Sequence, residues 1–217
     1  MRVIAGNARR LLLKTIPGED TRPTTDRIKE TLFNMIQGYV PGSNFLDLFG
    51  GSGGIAIEAL SRGAMHATIV EKNPKAVKVI EENLVHTHLR DLAEVISGDA
   101  LAAVQRIASV RKKPFDIIFL DPPYDQGLED RALQILAGTT LADENTLAIV
   151  EMRRDADVSH FEELGWQVVK SKEYKTNKHI FLRRGPQCRQ QCTQAVLIPS
   201  PTAIWISSAE PQKCLTI

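Results

Sequence analysis

Among its 217 residues the chain has only three cysteines, Cys188, Cys192 and Cys214, all in the last stretch. The body therefore has no disulfide framework and no thiol nucleophile. Cys188 and Cys192 together would make half a zinc site, so no metal is expected. No apolar run reaches the ~20 residues that cross a bilayer. The start lacks the charged-then-apolar layout of a secretion signal. These absences lead us to expect a cytoplasmic protein with no membrane partner. A charge excess of one sign is missing too. There are 27 Lys and Arg against 26 Asp and Glu, a net charge of +1. A nucleic-acid partner must then be argued from local charge. What is present is an ordinary apolar fraction, 43 %, in a chain long enough to bury one sizeable core unaided. A monomer is expected.

Four regions differ in pattern. Residues 1–40 form an expected N-terminal appendage. Arg2-Val3-Ile4 and Leu11-Leu12-Leu13 read as short strands around Gly6-Asn7. After them Ile28, Leu32, Phe33, Met35 and Ile36 fit one helical face, with Thr24 or Thr25 as its cap. Residues 41–184 form the expected main domain. Strand patterns at Phe45–Leu48, Ala67–Val70, Ala93–Ile96, Phe115–Leu120 and Leu147–Val150 alternate with helical ones. Glu58-Ala59-Leu60 lies in the first helix, Asn73-Pro74 opens the second, and Ala100–Val110 and Leu128–Leu136 are the next two. Such alternation predicts a parallel sheet covered on both faces. Trp166–Val169 and His179–Leu182 flank a polar turn at Thr176-Asn177 with no room for a helix, which predicts an antiparallel hairpin. Together these patterns give an α/β, Rossmann-like, mostly parallel seven-stranded sheet with a C-terminal antiparallel hairpin. Residues 185–217 are rich in Gln, Ser, Thr and Pro, lack periodicity and read as a poorly ordered tail.

Leu46-Asp47-Leu48-Phe49-Gly50-Gly51-Ser52-Gly53-Gly54 is a strand running into a glycine turn and then a helix. Glycines let the backbone approach a ligand closely, and the helix start offers unpaired N–H groups to an anion. Asp47 is placed to accept from a cation. S-adenosylmethionine carries both a carboxylate and an ammonium, so it suits this pair. Gly51-x-Gly53-x-x-Ala56, with Glu71 about twenty residues on, also fits the dinucleotide fingerprint. The glycines alone therefore leave a methyltransferase and an NAD-linked oxidoreductase open. Asp47 favours the former, because it would repel a pyrophosphate. Glu71, with Lys72 beside it, serves a ribose diol in either case. Asp99, followed by Ala100, is a candidate for the cofactor's adenine amine or for a helix cap, and one carboxylate can do both. The expected cofactor set is Asp47, Phe49, Gly50, Gly51, Ser52, Gly53, Glu71, Lys72, Asp99 and Ala100.

Asp121-Pro122-Pro123-Tyr124 follows the fourth strand. In open α/β sheets, ligands bind at the carboxyl ends of strands, so this loop shares an edge with the glycine turn. The loop suits methylation of an aromatic amine, whose lone pair is delocalised into the ring. Hydrogen bonds from the NH2 to Asp121 and to the Pro122 carbonyl favour a pyramidal nitrogen and aim its lone pair. The two prolines stiffen the loop and leave acceptors only. Tyr124 offers a flat face to a base taken out of its stack. A rigid turn without chemistry would use the same residues. Its position after an apolar strand, downstream of the glycine turn, argues for catalysis.

Several stretches resemble one family, the bacterial 16S rRNA (guanine-N2)-methyltransferases of the RsmD type. They are Arg2–Gly6, Thr21–Thr24 with Asp26-Arg27, Leu46–Gly53, Glu58–Ala64 and Phe115–Tyr124. The resemblance covers about Met1 to Arg184. Gly50 stands where that family often has alanine. It implies methyl transfer from S-adenosylmethionine to guanine N2 in 16S rRNA, on the small ribosomal subunit or an assembly intermediate. The catalytic loop itself also admits adenine N6. A non-catalytic RNA-binding assembly factor is the alternative of another class. Arg2, Arg9, Arg10, Arg22 and Thr24 are the expected RNA contacts. Further basic residues, Lys170, Lys172, Lys175, Lys178, Arg183 and Arg184, crowd the closing hairpin and could also meet phosphates.

Overall fold

Five short apolar strands and a more polar C-terminal pair form one sheet in a computed structural model, which describes residues 1–15 and 26–185. The strands are β1 (Asn44–Asp47), β2 (His66–Glu71), β3 (Ala93–Ser97), β4 (Ile117–Leu120), β5 (Leu147–Arg153), β6 (Trp166–Glu173) and β7 (Asn177–Arg184). Their order is β3-β2-β1-β4-β5-β7-β6. The first five pair in parallel, and β7 runs antiparallel between β5 and β6. The order reverses direction between β1 and β4, and the carboxyl ends at such a switch are where an open α/β sheet takes its ligand.

Among the described residues five α-helices cover the sheet: α1 (Asp26–Met35), α2 (Gly54–Ser61), α3 (Pro74–His86), α4 (Ala100–Val110) and α5 (Leu128–Ala137). Strand residues alternate between two buried clusters because successive side chains point to opposite faces. Phe45, Ile69, Phe119, Ile149 and Phe181 pack with α1, α2, α3 and the N-terminal segment. Leu46, Val70, Leu120, Val150 and Leu182 pack with α4 and α5. Asn73 caps α3 by accepting from the Lys75 amide at 2.9 Å, with Pro74 as its first residue. Asp99 caps α4 through the amides of Leu101 and Ala102. Both caps match the sequence reading.

Two expectations need correction. Arg2–Ile4 and Leu11–Leu13 form no strands; they meet in one isolated bridge, Arg2 to Leu12. The chain between them turns tightly, with Gly6 at φ +82° against Ser61 and Arg10 at φ +73°. Little ladder is left to build. The polar turn of the hairpin falls before Asn177, not on it. Asn177 is the first residue of β7 and is buried, because its side chain donates to Glu151. The expected cap at Thr24 or Thr25, the contact at Arg22 and the tail beyond Gly185 lie outside the described residues.

The N-terminal segment is anchored by one carboxylate. Glu58 of α2 is fully buried and accepts from the amides of Ile4 at 2.8 Å and Ala5 at 3.1 Å. Arg62 donates to it at 2.7 Å, and Lys29 of α1, also fully buried, pairs with it at 3.2 Å. Lys29 donates in turn to the Arg2 carbonyl at 2.7 Å. Four donors on one carboxylate satisfy a group that would be costly to bury alone. They tie residues 1–5, α1 and the helix after the glycine turn into one block.

Candidate active site

The glycine turn between β1 and α2 is built by the backbone. Gly51 and Gly53 take φ of +53° and +80°, a region that favours glycine. At Gly50 an added Cβ would lie 2.5 Å from the Ile69 methyl, so the glycine at this position is matched to the Ile69 of β2. Glu71, at the end of β2, accepts from the Gly51 amide at 2.8 Å and the Asn73 amide at 2.7 Å. It is half-exposed, so its carboxylate both fixes the turn and faces the crevice. Asn83 of α3 donates to the Ser52 carbonyl at 2.9 Å and exchanges hydrogen bonds with the Lys14 backbone. Sequence reading missed Asn83, which looks like an ordinary helix residue.

Asp47 closes β1. It is 1 % exposed and accepts from the Phe49 amide at 3.3 Å. Burial, with Glu71 nearby, pushes its carboxyl up to about 7 against the pull of the Phe49 and Ala56 amides. Asp121 follows β4 directly. Burial raises its carboxyl well above the usual carboxylate range, and Glu151 and Asp47 add to the rise. Neither acid has a salt-bridge partner among the described residues. A crevice with two desolvated acids and no cation is prepared for a ligand that brings positive charge. S-adenosylmethionine, a sulfonium with an ammonium, fits that donor set; a pyrophosphate does not. Pro122 is buried, Pro123 is exposed, and Tyr124 presents its ring at 40 % exposure. Arg153, at the end of β5, reaches Asp125 at 3.5 Å and so holds the far side of the loop.

All ten of the expected cofactor residues gather on this edge. Asp47, Phe49, Gly50, Gly51, Ser52 and Gly53 lie at the end of β1, Glu71 and Lys72 at the end of β2, and Asp99 and Ala100 at the start of α4. One oxygen of Asp99 accepts both cap hydrogen bonds, and the other is left over. Of the expected RNA contacts, Arg9 and Arg10 are exposed, while Arg2 pairs with Asp26 at 3.0 Å. The hairpin's basic residues divide. Lys170, Lys172 and Lys175 are exposed. Lys178 donates to the Ala156 carbonyl, Arg183 lies over Tyr39 and Arg184 over Trp166, so these three hold the fold together.

A reversed closing strand on a parallel sheet, with the crevice at the β1–β4 switch, is the class I methyltransferase fold, and solved structures of that layout superpose on it. The chain belongs to the conserved hypothetical protein 95 family, which matches residues 1–183. YlbH of Bacillus subtilis is 38 % identical over 187 residues, 85 % of this chain and 100 % of YlbH. Ribosomal RNA small subunit methyltransferase D of Haemophilus influenzae is 35 % identical over 173 residues, 79 % of this chain and 88 % of its own length. The structure of yhhF from Escherichia coli has a TM-score of 0.72 at 30 % identity and covers 86 % of this chain and 99 % of its own. The RsmD-type resemblance read from the sequence is borne out as family membership.

Proposed function

We propose that this chain uses S-adenosylmethionine to methylate the exocyclic N2 amine of a guanine in 16S rRNA, on the small ribosomal subunit or an assembly intermediate, as a cytoplasmic monomer. The observation that carries the reading is Asp121: a desolvated carboxyl without a cation, on a proline-stiffened loop, on the same edge as the glycine turn. The name of the Haemophilus influenzae relative supports the choice of small-subunit rRNA. Arg2, Arg9, Arg10, Arg22 and Thr24, in the appendage of residues 1–40, are assigned to the RNA.

When bound, the cofactor supplies an electrophilic methyl group. Asp47 would hold its ammonium, the amides of the glycine turn its carboxylate, Glu71 its ribose and the spare oxygen of Asp99 its adenine amine. Asp121 and the Pro122 carbonyl accept from the two amine hydrogens and aim the lone pair. Tyr124 stacks against the flipped base. Much of the rate then comes from positioning. Direct displacement needs no further group.

The test uses small subunits from a strain lacking the protein, labelled S-adenosylmethionine and nucleoside mass spectrometry. The expected product is N2-methylguanosine in 16S rRNA. Label in N6-methyladenosine would move the reading to adenine, and label in DNA or protein alone would sink it. Asp121→Asn should lower kcat by roughly 100- to 1000-fold and leave RNA binding intact. Unchanged methylation in that variant would remove Asp121 from the reaction.

A further inference from the structure

A second carboxylate stands beside Asp121, and the positioning just described makes no use of it. The last paired residues of β4 and β5 are Leu120 and Val150. One step on, Asp121 and Glu151 lie side by side. Strand alternation sends both to the sheet face that carries Phe119 and Ile149. Glu151 is 6 % exposed and fixed from β7. His179 Nε2 lies 2.9 Å from one of its oxygens, and the Asn177 amide donates to the other. The His179 ring is fully buried and meets Phe119 edge-on, with centroids 6.1 Å apart. Its Nδ1 lies 3.3 Å from the hydroxyl of Tyr174, in the turn between β6 and β7. With its proton on Nε2, the His179 ring donates to Glu151 and its Nδ1 accepts from Tyr174. Tyr174 stays a phenol, because burial and Glu151 push it up to about 12.

Joining β5 to β7 does not require this chain of groups, since seven residue pairs already link those strands. Its distinctive effect is to hold a negative charge next to Asp121. We propose that Glu151 is a positioning residue for Asp121: fixed by His179 and Asn177, it makes the Asp121 carboxylate a stronger proton acceptor in the methyl-transfer step. In that step the target nitrogen forms a bond to the methyl carbon. The methyl–sulfur bond breaks and its electron pair stays on sulfur. The nitrogen then gives one proton to Asp121, which passes it to water. This assignment rests on the amine-methylation reading above.

The groups facing Asp121 are Asp47 from β1 and Glu151 from β5, with His179 and Tyr174 behind Glu151. Glu151 and Asp47 both favour the protonated form of Asp121. Removing the charge of Glu151 therefore moves the titration of Asp121 to lower pH. The full-length protein with 13C-labelled aspartate carboxyls reads this directly by NMR, with Asp121→Asn to assign the signal. The expected result is an Asp121 signal that titrates above the ordinary carboxylate range in the native protein and at lower pH in Glu151→Gln. An ordinary titration in the native protein overturns the proposal even where Glu151→Gln fails to fold. In methyl transfer, the acidic limb of the kcat/KM profile should move to lower pH in Glu151→Gln and return in Glu151→Asp. A loss of equal size at every pH would show a purely structural role and overturn the proposal. The titration needs no RNA, so a wrong substrate leaves it intact, and its own failure leaves the substrate reading standing.

Discussion

Glu58 and Asp121 are both acids desolvated against the same face of one sheet, and they are treated in opposite ways. Glu58 receives two amides, an ammonium and a guanidinium. Asp121 receives no side-chain hydrogen bond or cation among the described residues and has two acids for neighbours. Asp47 is closer to Asp121: it has backbone donors but no cation. A fully satisfied acid fixes structure. An acid left short of donors stores a demand that a ligand can meet. Asp99 lies between the two extremes, with one oxygen used as a cap and one spare.

The sharpest way to break this contrast is Glu58→Ala. It strands the buried Lys29 ammonium, whose pKa burial already pulls down against the pull of Glu58. Loss of one partner from a buried pair costs about 3 to 5 kcal/mol, so chemical denaturation should show a fall of that size. A change near zero would mean that the N-terminal block is held by packing alone. Asp47→Asn should act in the opposite direction. The carboxyl sits near 7 in the fold and near 3.8 when unfolded. Its contribution to stability is full below the lower value and lost as pH rises through the upper one. Above pH 7 the amide should therefore stabilise the ligand-free protein by up to about 4 kcal/mol, while weakening S-adenosylhomocysteine binding measured by calorimetry. Equal stability at high and low pH would contradict the burial argument. The smallest effect belongs to Asp99. Asp99→Ala should cost about 1 kcal/mol through the lost cap and also weaken S-adenosylhomocysteine. Asp99→Ser should restore the cap and not the binding. If serine restored both, the spare oxygen would have no ligand.

The same contrast separates what could be read in the sequence from what could not. Strand alternation, the glycine turn, Asn73-Pro74 and Asp121-Pro122-Pro123-Tyr124 are local signals, and the structure places them on one edge as expected. Asp47 stood out as an acid just before the glycine turn, and Asp121 as the head of a proline-stiffened loop after an apolar strand. Glu58 sits in Gly54–Ser61, where a lone glutamate reads as a solvent-facing helix residue. Its burial is decided by residues 4 and 5, which are 54 and 53 positions away. Asn177 read as a turn because Thr-Asn is turn chemistry. Its partner Glu151, 26 positions back, pulls it into the strand. Glu151 and His179 were hidden for the same reason: only the antiparallel register of β5 and β7 makes them neighbours.

The sheet order also sets a sequence of events in time. The N-terminal block can close before the rest of the sheet is made, since its clamp spans 54 residues and β1 through β3 follow one another along the chain. The other edge of β1 is different. Asn44 waits for Asp116, 72 residues later, and until β4 arrives that edge has open hydrogen-bonding groups at the centre of the future sheet. During synthesis the half that carries the glycine turn can thus assemble before the half that carries Asp121 exists. The interval between them, when β1 is paired on one side only, is when the chain is most open to strand pairing with another copy.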